Sequence, residues 1–181
     1  MTKEKTFDVV LSGLRREGIP CVLIGGFALG FHNFARVTSD IDFLISEKDA
    51  KRAIEILQAS GFALKEENKD LFVRFASKNP DLIDVDFVFV EPATLQEVIK
   101  DGKEVTSGSI TLMVPSLRHL IALKLHAIKN NRHRELKDLL DIVTLIRTNK
   151  LDFKSAEFKA MCLKYGTEET YGKITNALSE S

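Results

Sequence analysis

The stretch LIGGFALGFHNFARVTSDIDFLIS, Leu23–Ser46, limits what this chain can fold into more than any other. An apolar run ends in Gly25-Gly26, and thirteen residues later Asp40-Ile41-Asp42 opens a second one. Cys21 to Ile24 reads as a short continuous strand, and Ile41, Phe43 and Ile45 alternate with Asp40, Asp42 and Leu44, the period of another strand. Residues two apart on a strand project from the same face, so Asp40 and Asp42 stand together. Like charges so placed repel unless a cation or a proton lies between them. Hard carboxylate oxygens suit Mg2+, which takes one or two carboxylates together with substrate phosphates. The plain alternative is a solvated strand end with two surface acids. A strand that runs into Gly-Gly and then a helix leaves backbone N–H groups at the helix start, where an anion such as phosphate is favoured. Glycines after strands also serve simply as turns.

A second segment, DLIDVDFVFV, has the same design. Ile83, Val85, Phe87 and Phe89 form one apolar face, and Asp84 and Asp86 share the other with Val88 and Val90. An acid flanked by apolar residues is expensive there unless it is paired or ligates a metal. Beside the first strand, it adds a third carboxylate, enough for two ions about 4 Å apart, the arrangement that serves in-line phosphoryl transfer. A glycine turn for phosphate and a three-acid metal site together imply a nucleoside triphosphate.

The rest of the chain alternates helices and strands, with no repeat or low-complexity linker. Phe7, Val10, Leu11 and Leu14 make a helical stripe that Gly18-Ile19-Pro20 stops, and Phe27–Phe34 reads as a short helix. Asp49–Ser60 is amphipathic, with Gly61 just past its end. Phe62–Lys65, Leu71–Ala76 and Leu82–Val90 read as strands separated by the turn-forming ENKD and KNPD, and nearly everything from Val114 on is helical. The expected fold is α/β (α+β), a sheet portion over 1–113 and a helical portion over 114–181, countable as one domain at 181 residues. Twenty-six basic residues balance 26 acidic ones, so any hold on nucleic acid must be local. No run approaches the roughly 20 apolar residues of a membrane span, and no signal-type cleavage site is visible, so a cytoplasmic location is expected. Cys21 and Cys162 lack metal-ligand spacing and read as buried, reduced thiols; the four histidines read as surface or packing residues.

Gly-Gly, thirteen residues, RVTSDIDFLI at Arg36–Ile45, a later strand of the form hydrophobic-Asp-hydrophobic, and the helical LRHLIALKLHA and RELKDLLDI resemble the nucleotidyltransferase superfamily that includes DNA polymerase beta. The closer likeness is to its minimal, AbiEii-toxin-like bacterial branch, and it covers roughly Ile19 to Ile146. The resemblance implies a mixed sheet flanked by helices, with Gly25 and Gly26 at the triphosphate. Asp40 and Asp42 would ligate both metals, Mg2+ or Mn2+, and Asp86 the nucleophile-activating one, with Asp84 the alternative third acid. Arg36 and Thr38 also match. Many members carry Gly-Ser where this chain has Gly25-Gly26, so one hydroxyl is missing. The branch suggests toxin-type action on tRNA and an antitoxin-like partner.

Lys124 falls inside the apolar stripe Leu117, Leu120, Ile121, Leu125 and Ile128. It must snorkel or pair with an anion, and pairing with a substrate phosphate or a carboxylate is favoured; it also matches the family's K-L-x-A helix. Asp138 fits the family's basic-Asp step and is placed to orient Lys124, and Lys137 can pair with Asp141 at i, i+4. Lys129, Arg132, His133, Arg134 and Lys137 form a local basic patch, either a solvated turn or a seat for RNA or nucleotide phosphate. The sum is a metal-dependent transferase moving a nucleoside monophosphate from a nucleoside triphosphate to a hydroxyl on RNA, protein or a small molecule. The alternative is a catalytically silent nucleotide-binding or interaction module of the same fold.

Overall fold

The two acid-bearing strands lie side by side. In the computed structural model, which describes residues 2–68 and 71–179, β2 (Asp40–Ser46) pairs in parallel with β5 (Asp84–Val90), Asp40 opposite Asp84 and Asp42 opposite Asp86. Strand alternation therefore brings all four acids to one face. β1 (Cys21–Ile24) flanks β2 antiparallel, β4 (Phe72–Ser77) flanks β5, and β3 (Phe62–Asn68) forms the far edge, giving the mixed order β1-β2-β5-β4-β3. A parallel pair needs a crossover rather than a hairpin. Here the chain supplies it with α3 (Ala50–Ala59) and the β3–β4 hairpin.

The other face is the core. Ile41, Phe43, Ile45, Val73, Phe75, Val85, Phe87 and Phe89 are buried there, and each such side chain stabilises by about 1.5–3 kcal/mol relative to exposure. Phe75, Phe87 and Phe43 touch edge to face in sequence across the strands, and Phe7 of α1 (Thr2–Arg16) continues the row onto Phe43 at 6.1 Å between ring centres. Phe7 also packs on Phe27, which anchors α2 (Gly25–Leu29) directly after β1. The helix expected over Phe27–Phe34 is thus earlier and shorter, followed by a 3-10 turn over Gly30–His32. β3 continues through Glu67 and Asn68, the first half of the expected ENKD turn; Lys69 and Asp70 lie outside the described residues.

Residues 91–113, which periodicity leaves unassigned, form α4 (Pro92–Asp101) and a hairpin of β6 (Lys103–Ser107) and β7 (Ile110–Val114). Pro92 at the helix start and Gly102 after its end are the usual boundary residues. The hairpin was harder to read because β6 is largely exposed and has no apolar face. Arg15 of α1 donates to the Thr111 carbonyl of β7.

The second unit is helical: α5 (Leu117–Asn130), α6 (Glu135–Asn149), α7 (Ala156–Tyr165) and α8 (Glu168–Ser179). The division falls after Ser116, and Leu29–Ala35 also belongs to the helical unit, whereas the sheet unit runs to Ala28 and resumes at Arg36. Within the helical unit Asn149 Nδ2 donates to the His32 carbonyl at 2.8 Å, and Asn33 Nδ2 donates to Asn149 Oδ1 at 3.0 Å. Cys162 is buried, and burial pushes its thiol up to about 12; Cys21, expected to be buried, is partly exposed. Among the described residues no helix is long and apolar enough to cross a membrane.

Candidate active site

Gly25 occupies the point where β1 turns into α2. Its φ is +65°, in the left-handed region, and a Cβ added there would lie 1.8 Å from Asp42 Oδ2. Backbone conformation and close approach both require glycine. A Cβ on Gly26 would come within 2.6 Å of Thr38 Cβ and Oγ1. Thr38 Oγ1 in turn donates to Asp40 Oδ1 at 2.8 Å. The two glycines are therefore the surface against which Asp42 and Thr38 pack, and Thr38 orients Asp40. α2 is little more than one turn long, so what its start could offer an anion is N–H groups rather than a sizeable dipole.

Asp40, Asp42 and Asp86 each bring one oxygen into a group whose members all lie within 4.8 Å of one another. Asp84, in register with Asp40, is drawn away: its Oδ1 accepts the Ser77 N–H at 3.0 Å and its Oδ2 lies 3.6 Å from Lys65 Nζ. Arg36 donates to the Val37 carbonyl at 3.2 Å. Arg74, which strand periodicity treats as an ordinary outward residue, donates from Nε to Asp86 Oδ2 at 3.1 Å. An arginine midway along an apolar strand was the available signal.

The donor set fits a hard divalent cation. Burial pushes the Asp86 carboxyl from 3.8 up to about 6; the Asp40 and Asp84 carboxylates add to the rise and Arg74 opposes it. Lost solvation is the main cause of this rise, and the neighbouring carboxylates, whose repulsion a bound cation would offset, add to it. Without a cation, the folded chain binds the Asp86 proton more tightly than the unfolded chain does. Asp86 therefore contributes no penalty below about pH 4 and lowers stability as pH rises through about 6, by about 3 kcal/mol in full. Urea unfolding in a chelator should show wild type losing this much relative to Asp86→Asn between pH 4 and pH 7.5. Parallel curves for the two proteins would contradict it.

Gly25→Ala should cost about 1–2 kcal/mol from the left-handed backbone alone, and more from displacing Asp42. Urea unfolding of Gly25→Ala beside wild type measures the sum of the two.

In the helical unit, Lys124 Nζ donates to Asp138 Oδ1 at 2.9 Å and Asp141 Oδ2 at 2.6 Å. Arg134 Nε donates to the other Asp138 oxygen at 2.8 Å. Lys124, Asp138 and Asp141 are all buried. Burial would raise the Asp138 carboxyl, but Lys124 and Arg134 outweigh it and hold it below its ordinary range. The anion beside Lys124 is thus a pair of carboxylates, and the i, i+4 partner expected for Lys137 is engaged by Lys124 instead. Lys129, Arg132, His133 and Lys137 are exposed and Arg134 half-buried.

The chain is similar in structure to several solved proteins. The lincomycin-bound lincosamide antibiotic adenylyltransferase LnuA matches at TM-score 0.57 and 13% identity, over 79% of this chain and 96% of that one. The antibiotic-resistance factor ANT(2'')-Ia matches at TM-score 0.58 and 14% identity, over 97% and 91%. An antigenic nucleotidyltransferase-like protein from Paracoccidioides brasiliensis matches at TM-score 0.55 and 13% identity, over 98% and 94%. At these identities the likeness is one of fold. No match is found among curated protein sequences. A family model described as "Uncharacterised nucleotidyltransferase" matches residues 3–178, nearly the whole chain, and the chain belongs to that family of nucleotidyltransferases.

Proposed function

We propose that this nucleotidyltransferase moves a nucleoside monophosphate from a nucleoside triphosphate onto an acceptor hydroxyl, with Asp40, Asp42 and Asp86 holding Mg2+ or Mn2+. The observation that carries the reading is the convergence of those three carboxylates within 4.8 Å, with Asp42 packed against Gly25. A divalent cation bound there supplies charge neutralisation at the phosphates and lowers the pKa of the attacking hydroxyl. The chain's own residues do the rest. Gly25 and Gly26 give phosphate oxygens access to the backbone at the start of α2. Thr38 holds the Asp40 carboxylate in place through its hydroxyl. In this reading Arg36, four residues ahead of Asp40, would meet phosphate charge, whereas Lys124, which matches the family's K-L-x-A helix, is engaged by Asp138 and Asp141. Asp84 stays outside this set, bound to Ser77 and Lys65.

Transfer to a small-molecule hydroxyl finds support in the neighbours LnuA, described as an antibiotic adenylyltransferase, and ANT(2'')-Ia, solved in complex with adenylyl-2''-tobramycin. A polyadenylate synthase of Megavirus, at TM-score 0.50, stands behind RNA as the acceptor. Toxin-type action with an antitoxin-like partner rests on the sequence resemblance alone. The test is incubation of the purified chain with each α-32P nucleoside triphosphate, Mg2+ and total cellular RNA, protein and a small-molecule extract, beside Asp40→Ala/Asp42→Ala. Label that moves only with wild type establishes transfer and identifies the acceptor class. Cation-dependent nucleotide binding without pyrophosphate release would establish a silent relative instead.

A further inference from the structure

The line of side chains that crosses the sheet at the level of Asp42 does not end at the carboxylates. Strand register places Asp86 beside Asp42, Arg74 beside Asp86 and Glu66 beside Arg74, on β2, β5, β4 and β3 in turn. Arg74 donates from Nε to Asp86 Oδ2 at 3.1 Å and from Nη1 to Glu66 Oε2 at 2.6 Å. Its guanidinium carbon lies 5.0 Å from the centre of the Phe72 ring, two residues back on the same strand. Two carboxylates and a ring face thus fix one side chain from three directions.

An arginine next to a carboxylate that ligates a cation brings two opposed effects. Its charge repels the cation, which weakens binding. Its hydrogen bond fixes the rotamer of the ligand, which strengthens binding by removing freedom that would otherwise be lost on coordination. Glu66 decides between them. With its carboxylate 2.6 Å from Nη1, Glu66 cancels the guanidinium charge to first approximation, and the field of the resulting pair falls off faster than that of a lone cation. Arg74 is also about two-fifths exposed, so water screens what field remains, whereas Asp86 is only 14% exposed and its orientation is held by protein.

We propose that Arg74 is a positioning residue that holds Asp86 in its cation-ligating orientation, and that Glu66 neutralises Arg74 so that this hold does not repel the cation. The inference rests on the reading of Asp40, Asp42 and Asp86 as a divalent-cation site.

Calorimetric titration of the full-length chain with Mn2+, without nucleotide, tests it on binding alone. Arg74→Met, which keeps a stem over Phe72 and removes the hydrogen bond, is expected to weaken Mn2+ affinity by about 10–100-fold. Arg74→Lys, which keeps the charge and one donor, should recover part of that loss. Glu66→Gln should also weaken binding, by several-fold, because Arg74 keeps its grip but is no longer neutralised. If Arg74→Met binds Mn2+ as tightly as wild type or more tightly, Arg74 is no more than a countercharge and the proposal is overturned. Undiminished affinity in Glu66→Gln overturns the neutralising role. Should thermal melting show Arg74→Met unfolded, Arg74→Lys and Glu66→Gln carry the test, since both keep the strand packing. A wild-type chain that takes up no Mn2+ overturns the cation site itself and this inference with it, an outcome distinct from a wild type and an Arg74→Met that bind equally.

Discussion

Asp40→Ala/Asp42→Ala should be folded, at least as stable as wild type in a chelator, and inactive. Cation chemistry at a phosphoryl centre supplies several kcal/mol of charge stabilisation, and each 1.36 kcal/mol is tenfold in rate. The loss should therefore reach about a thousandfold, beyond what a misplaced side chain elsewhere would cause. Stability should move the other way because two of three crowded negative charges are removed from a group within 4.8 Å. Transfer assays and urea unfolding on the same preparation separate the outcomes. An inactive, unfolded variant would make the acids structural, and an active one would remove them from the site.

The second large effect is on stability. Lys124→Met should cost about 3–5 kcal/mol, because it leaves two buried carboxylates without the ammonium that joins them. Replacing all three members with apolar residues, Lys124→Met with Asp138→Leu and Asp141→Leu, should restore most of the loss, since a buried ion pair is worth little more than a hydrophobic replacement of similar volume. The triple variant also tests the phosphate role of Lys124. If it is stable and still binds nucleoside triphosphate like wild type, the lysine is an internal strut. If it is stable and nucleotide affinity falls, Lys124 serves the substrate as well.

The alternation of Asp40 with Asp42 and of Asp84 with Asp86 was enough to say that four acids share faces, and the parallel register then made them neighbours. What alternation does not contain is which of Asp84 and Asp86 turns toward the pair. That is settled by residues distant in sequence, Ser77 and Lys65, which hold Asp84. Arg74 escaped for a related reason. A strand residue is judged by its own strand's period, whereas the partners of Arg74 stand across two hydrogen-bonded neighbours, at Glu66 and Asp86. Lys124 was legible as a buried cation in need of an anion because helical periodicity is local. Its pairing with Asp138 was readable from the family pattern, but its second bond, to Asp141, depends on how α5 and α6 lie against each other. The β6–β7 hairpin lacked an apolar signature on β6, so nothing in its pattern distinguished it from a loop.

The assignment of Leu29–Ala35 to the helical unit has a consequence for modularity. The chain passes from one unit to the other three times, after Ala28, after Ala35 and after Ser116. The helical unit is therefore threaded into the sheet unit's sequence and is not an appendage that a single cut would release. A chimera or truncation made at Ser116 would leave Leu29–Ala35 behind, stripped of the Asn149 bonds to His32 and Asn33. That orphaned segment would hang between the glycine turn and the first pair of acids. Grafting this helical unit onto another sheet thus requires two exchanges of sequence, the shorter of them between Gly26 and Thr38.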